Sequence, residues 1–327
     1  MGFFVDGVWQ EDTPENRNQR GRFIRTPSIY RNWITPDGGA GPSGEGGFAA
    51  ASGRYHLYVS HSCPWAYRTT LFRALKKLDG AISITIAAPL YGERSWRFSD
   101  EPGCIPDTVN GTNELWEVYL LANPRYSGRV TVPTLWDKER RTIVNNESSE
   151  IIRMLNSAFG RFTDDNADSY PEPLRAEGDQ INELVYTTVN NGVYRCGFAT
   201  SQDAYEEACT ALFATLDQLE ARLSRQRYLA GAQITEADWR FFSTLIRFDA
   251  VYHYHFKCNI RRIVDYPNLS NYLRDLYQVT GVDETVSIDH IKRHYYGSQR
   301  KVNPTGIMPL GPELDFTAPH DRDRFVS

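Results

Sequence analysis

The sequence predicts an α/β domain followed by an all-α domain, and three observations carry that prediction. Residues 54–160 alternate strand-like and helix-like runs in the order β-α-β-α-β-β-α. Within this stretch Cys63 stands where the first strand meets the first helix, and Val132-Pro133 comes just before a hairpin. From Leu174 onward apolar residues keep a helical period and no strand pattern returns.

Residues 1–50 read as an irregular arm. Its Gly-rich run from Gly38 to Gly47 is loop composition, not a phosphate loop: no strand leads in and no Gly-Lys-Ser/Thr closes it. Phe3, Phe4, Trp9, Phe23, Tyr30 and Trp33 give the arm apolar surface with which to pack on the body. The α/β domain spans 51–160. Arg54-Tyr55-His56-Leu57-Tyr58-Val59-Ser60 is its first strand, and Tyr67, Leu71, Ala74, Leu75 and Leu78 share one face of the helix that follows. A β-rich run covers 81–87. Residues 89–111, with Trp96, form a long polar loop of the kind that is uncommon without a function. Residues 112–121 are helical. Residues 129–136 read as a strand interrupted by Pro133, which belongs at an edge or a bend because it cannot donate to a ladder. The 137–140 turn leads to a strand over 141–144, and 145–150 open a helix with Ile151, Ile152, Met154 and Leu155 on its core side.

A linker, 161–173 with Asn166 inside it, precedes the all-helical domain at 174–300. Tyr205, Ala208, Cys209, Leu212, Leu216, Leu219 and Leu223 share a face there, which makes Cys209 a core filler. Thr235-Glu236-Ala237-Asp238 reads as a capping box with Asp in the usual Glu place. Further helices follow from Pro267 and from Ile288, and 301–327 read as an irregular tail.

A chain of 327 residues with 41% hydrophobic and 24% charged residues can bury a sizeable core without staples. Its net charge of −5 argues against a general nucleic-acid binder. No apolar run approaches a membrane span, and the start at Met1 lacks a signal-peptide pattern. Five scattered cysteines without zinc-like spacing suit a reducing compartment, so a cytoplasmic location is expected. Neither a metal nor a nucleotide cofactor is expected. His253 and His255 diverge on a helix, and His290 and His294 share a face but lack the Glu of a zinc-protease motif.

Pro64 suits the first helical position, which makes Cys63 the cap residue. Unpaired N–H groups and the positive dipole end then favour its thiolate. The motif is Cys-Pro-Trp-Ala, so no neighbouring cysteine can close an internal disulfide. A mixed disulfide at Cys63 must be resolved by an outside thiol, which points to glutathione. The alternative is an inert buried cysteine. The element order with this cysteine and Val-Pro is a thioredoxin-like pattern, in which the proline peptide is usually cis and presents the preceding backbone, here Val132, to a sulfur-bearing peptide. The γ-glutamyl carboxylate of glutathione fits the helix N-terminus at Ser148, its ammonium suits Glu147, and Arg129 could meet the glycyl carboxylate. Plain capping is the other reading of Glu147 and Ser148. Tyrosines cluster in the helical domain at 194, 252, 254, 295 and 296. They are either packing residues or, facing a thiolate, proton donors to a phenolate leaving group.

Cys63-Pro64-Trp65-Ala66, Ser127-Gly128-Arg129-Val130-Thr131-Val132-Pro133, Asn146-Glu147-Ser148, Asn190-Asn191-Gly192-Val193-Tyr194, Arg247-Phe248-Asp249 and Asn303-Pro304-Thr305-Gly306 occur in that order. Together they resemble the glutathionyl-hydroquinone reductases, the Xi class of glutathione transferases, over nearly the whole chain. The resemblance implies a thioredoxin-like N-terminal domain and an all-helical glutathione-transferase C-terminal domain. It implies that Cys63 takes the glutathionyl sulfur of a glutathionyl-hydroquinone, that Tyr194 supplies a proton, and that Tyr252 and Tyr295 tune the thiolate. The family's glutathione contacts fall on Trp96, Arg129, Val130, Val132, Glu147 and Ser148, and a homodimer is implied. A monothiol mixed-disulfide or dehydroascorbate reductase would use Cys63 without needing the tyrosines. A non-catalytic carrier of aromatic ligands would need neither. Fold alone does not choose among them.

Overall fold

Turn chemistry accounts for the shortest strands. The structure, a computed structural model, describes residues 2–11, 18–165 and 167–325, so Met1 and residues 12–17 of the arm, Asn166 of the linker and the last two residues of the tail lie outside the described residues. β1 (Phe3–Val5) and β2 (Val8–Gln10) pair antiparallel across Asp6-Gly7, with φ of 48° and 78°, the left-handed pair that a two-residue hairpin turn demands. β3 (Asn18–Gln19) and β4 (Arg22–Phe23) repeat the device over Arg20-Gly21. Strands of two or three residues are too short to show alternation, which is why the arm reads as irregular from sequence.

Two compact units divide the chain. The first comprises Met1–Thr13, Thr26–Ala167 and Thr285–His294. Its sheet contains β5 (Tyr55–Val59), β6 (Ser83–Ile86), β7 (Thr134–Asp137) and β8 (Thr142–Asn145) in the order β6-β5-β7-β8. β5 runs parallel to β6 and antiparallel to β7, and β7 is antiparallel to β8. Every residue of the two central strands is buried, so they read as continuous runs rather than as an alternating pattern. Buried His56 on β5 is satisfied by the Ser83 and Thr85 hydroxyls at 2.8 and 2.9 Å. Between strands run α1 (Pro64–Leu75) and α2 (Leu115–Ala122), and α3 (Ser148–Ser157) follows β8 and packs on α1. The predicted β-α-β-α-β-β-α order is the observed one.

One strand is shorter than the sequence predicts. Residues 129–132 do not pair, and β7 begins at Thr134, directly after Pro133. Pro133 lacks the N–H a ladder needs, and its peptide bond with Val132 is cis. Since β7 lies inside the sheet, the proline marks a bend at the strand entrance rather than an edge.

In the second unit, Pro14–Arg25, Asp168–Glu284 and Tyr295–Ser327, the regular elements among the described residues are helices apart from β3 and β4. α4 (Arg175–Val185) passes through a π-helical turn, Tyr186–Asn190, into α5 (Gly192–Gly197). α6 (Gln202–Leu223) packs on α5 and buries Cys209 with its leucines, as the core-filler reading expects. α7 (Glu236–Arg247) is buried along its whole length and starts from the predicted capping box of Thr235 and Asp238. A second π turn, Phe248–Tyr252, leads to α8 (His253–His255). α9 (Pro267–Tyr277) follows. α10 (Ile288–Ser298) begins among residues grouped with the first unit and ends among those of the second.

Candidate active site

In the first unit the site grows from the β5–α1 junction. The chain leaves β5 through Ser60 and Ser62, whose buried hydroxyls bond each other at 2.8 Å. Cys63 then caps α1 with extended backbone, φ −79° and ψ 120°, and Pro64 takes the first helical position. The Cys63 carbonyl accepts the Tyr67 N–H at 2.9 Å, the first bond of the helix. The thiol is partly exposed, and its Sγ lies 3.7 Å from the Val132 carbonyl oxygen. Sulfur, helix N-terminus and the backbone ahead of the cis proline therefore meet at one place, as the thioredoxin-like pattern of elements leads one to expect.

In the same unit the N-terminus of α3 carries Glu147 and Ser148. Glu147 is the cap of α3. Its carboxylate accepts the Ser149 N–H at 3.2 Å and the Ser149 hydroxyl at 2.9 Å, and a third bond comes from the Ser28 hydroxyl at 3.0 Å. The capping reading of this pair is thus realised, and the carboxylate still has acceptor capacity for an ammonium. Ser148 is buried, and Arg68 of α1 reaches its hydroxyl at 3.5 Å while lying over the Trp65 ring at 4.6 Å. Sequence reasoning missed Ser28 and Arg68. Nothing in their local sequence marks them, because their partners lie 119 and 80 residues away.

The other residues expected from the resemblance to contact glutathione have other settings. Val130 and Val132 are buried. The Arg129 guanidinium lies 5.7 Å from the Phe3 ring, and its carbonyl accepts the Tyr126 hydroxyl at 2.7 Å. Trp96 is buried in an aromatic cluster, stacked on His294 at 4.8 Å and edge-on to Tyr91 at 4.7 Å. His294 and His290, weighed as metal ligands from sequence, each bond a backbone carbonyl, of Pro89 and Pro102 respectively.

The second unit brings the three singled-out tyrosines together. Tyr194 on α5, Tyr252 at the end of the second π turn and Tyr295 on α10 form one hydroxyl chain. Tyr194 and Tyr295 share a hydrogen bond of 2.6 Å, and Tyr252 and Tyr295 one of 2.9 Å. Burial, reinforced by the neighbouring Tyr194, holds the Tyr252 and Tyr295 phenols well above the usual tyrosine range, so both stay protonated at neutral pH. All three tyrosines are buried, Tyr194 the least so at 9% exposed, against 0% for Tyr252 and 1% for Tyr295. The flanking motif residues brace it. Asn190 donates to Thr244 Oγ1 at 2.7 Å and to the Arg240 carbonyl, fixing the start of α5 against α7, and Asp249 accepts the Ile263 and Val264 N–H groups. Tyr254 stays out of the chain with 72% of its surface exposed.

The matches with known proteins fall on the same two regions. Residues 62–158 match the family model for the glutathione S-transferase N-terminal domain, and residues 202–275 match that for the C-terminal domain. The chain is 51% identical over 324 residues to the glutathionyl-hydroquinone reductase YqjG of Escherichia coli K12, covering 99% of each chain. The chain belongs to the glutathionyl-hydroquinone reductases, the Xi class of glutathione transferases. Its kinship with this reductase family extends to PcpF of Sphingobium chlorophenolicum, a glutathionyl-hydroquinone reductase 50% identical over 312 residues, which span 95% of this chain and 96% of that protein. The glutathione-bound structure of YqjG superposes with a TM-score of 0.91 over 98% of this chain and 99% of that one. The Xi-class glutathione transferase of Natrialba magadii does so at 0.90 with 46% identity, over 99% of this chain and 97% of that one.

Proposed function

We propose that this member of the family removes glutathione from glutathionyl-hydroquinones through a mixed disulfide at Cys63, releasing hydroquinone and glutathione disulfide. The observation that carries the reading furthest is the buried hydroxyl chain Tyr194–Tyr295–Tyr252. A plain mixed-disulfide or dehydroascorbate reductase has no proton to place on an aromatic carbon and no use for such a chain. The relatives that share half of this sequence bear the reductase name.

The steps balance. The Cys63 thiolate attacks the glutathionyl sulfur, a sulfur–sulfur bond forms, and the sulfur–carbon bond breaks with its electron pair going to the ring carbon. The Tyr194 hydroxyl gives its proton to that carbon, and hydroquinone leaves. A second glutathione surrenders its thiol proton, which restores the phenol. Its thiolate attacks the mixed disulfide and releases glutathione disulfide and the Cys63 thiolate. Val132, Glu147, Ser148, Arg129, Val130 and Trp96 hold the glutathione, Glu147 taking its ammonium and the α3 N-terminus its γ-glutamyl carboxylate. The reading includes a homodimer, which rests on the family resemblance. It also includes a cytoplasmic location, supported by five cysteines that are all free thiols. Among the described residues no helix is long and apolar enough to cross a membrane.

The test is to trap the intermediate. Protein treated with a glutathionylated hydroquinone and no free glutathione, then digested and weighed by mass spectrometry, should carry glutathione on the Cys63 peptide alone. Adduct on Cys104 instead, or on none, contradicts the assignment.

A further inference from the structure

Resting on that reading, we propose that Arg25 is a positioning residue for the proton-transfer step, a cation held over the Tyr194 ring so that the phenolate left after proton donation is stabilised. Three observations carry this. The Arg25 guanidinium carbon lies 5.1 Å from the Tyr194 ring centroid. Its Nε donates to Asn191 Oδ1 at 2.7 Å, and Asn191 immediately precedes α5, the helix that carries Tyr194. The guanidinium also lies 5.8 Å from the Phe23 ring on β4, so the short β3–β4 hairpin delivers it. That hairpin is tied down in its own right: the Gly21 carbonyl accepts the Thr200 N–H, and Arg22 pairs with Glu207 of α6.

A cation on a ring face is attracted to the π electrons, and more strongly to the full negative charge of a phenolate. Proton transfer to carbon converts Tyr194 into that anion, so the contact is stronger after the transfer than before it. This differential is what lowers a barrier. The hydroxyl chain is packed against other polar and charged groups as well. Tyr252 and Tyr295 are neutral phenols held so by burial. His255, 6.2 Å from Tyr295 between ring centres, is pushed by burial down to about 4 and is uncharged near neutrality. Arg247 is buried and acts on Tyr252 and Tyr295, and it donates to the Ser243 carbonyl. Arg195, next to Tyr194 on α5, is paired with Glu207.

The experiment compares wild type, Arg25→Met and Arg25→Lys across the pH range with a glutathionylated hydroquinone and glutathione, after a melting curve confirms that each is folded. Arg25→Met should lower kcat about tenfold with KM unchanged, and should move the alkaline fall of kcat to higher pH, because the phenol becomes a weaker acid. Arg25→Lys should restore most of kcat and return the alkaline limb toward wild type. Asn191→Ala, which frees the guanidinium without removing it, should give the same shift in weaker form. Arg25→Met with wild-type kcat, or a loss that leaves the pH limb in place and is not rescued by lysine, overturns the proposal. If wild type itself yields no hydroquinone, the reductase reading fails and not the role of Arg25 within it.

Discussion

In the proposed reaction Cys63 is the nucleophile and Tyr194 the acid, so their variants should fail differently. Cys63→Ala removes the atom that takes the glutathionyl sulfur, so all turnover should vanish with the fold intact. Tyr194→Phe keeps the sulfur chemistry and loses the proton. Hydroquinone release should slow by about a hundredfold or more, while glutathione still accumulates on Cys63 in the absence of a second thiol. Equal loss of adduct formation and turnover in Tyr194→Phe would contradict an acid role. Legibility at this scale follows sequence distance. Cys63 and Glu147 show themselves as helix caps because each cap is local, and Val132 is marked by the proline beside it. Tyr194 and Tyr295 are joined across 101 residues, Arg25 and Asn191 across 166, and no periodicity carries such pairings. The tyrosine roles rest on family resemblance, and the partners of Arg25, Ser28 and Arg68 are visible only in the folded chain.

The element that most deserves a stability test is α7, the helix whose every residue is buried. Its capping box was readable from Thr235 and Asp238, but the reach of Asp238 was not. The carboxylate accepts the Thr235 and Leu229 N–H groups and the Tyr272 hydroxyl, each at 2.8 Å, and so joins α7 to α9 and to the loop ahead of the helix. Asp238→Ala strands these donors and should cost about 3 kcal/mol in denaturant unfolding. A loss below about 0.5 kcal/mol, the size of a surface change, would show that the box is ornamental. Elsewhere, elements were legible where length allowed. The sequence pattern locates the buried strands β5 and β7 and the amphipathic α3 and over-extends only the stretch before Pro133. The two arm hairpins were missed for want of length, although Asp6-Gly7 is the dipeptide such turns prefer.

Across the whole molecule, acid should be destabilising through buried neutral imidazoles. Burial pushes His56 down to about 4 in the folded first unit and His255 to a similar value in the second. An unfolded imidazole titrates near about 6.5, so the unfolded chain binds the proton first as pH falls. Stability is therefore complete above about pH 6.5 and declines toward about pH 4, with His56 contributing up to about 3 kcal/mol of the loss. Denaturant unfolding at about pH 8 and about pH 5 should show the difference, and His56→Gln should flatten it; equal stability at both would contradict the burial argument. Function at this scale is a single stoichiometry. Incubate the intact protein with a glutathionylated hydroquinone and excess glutathione, and separate the products by chromatography. Free hydroquinone and glutathione disulfide should appear in equal amounts with wild type and not at all with Cys63→Ala. Binding of the substrate with neither product formed would contradict the reductase reading and leave a carrier of aromatic ligands in its place.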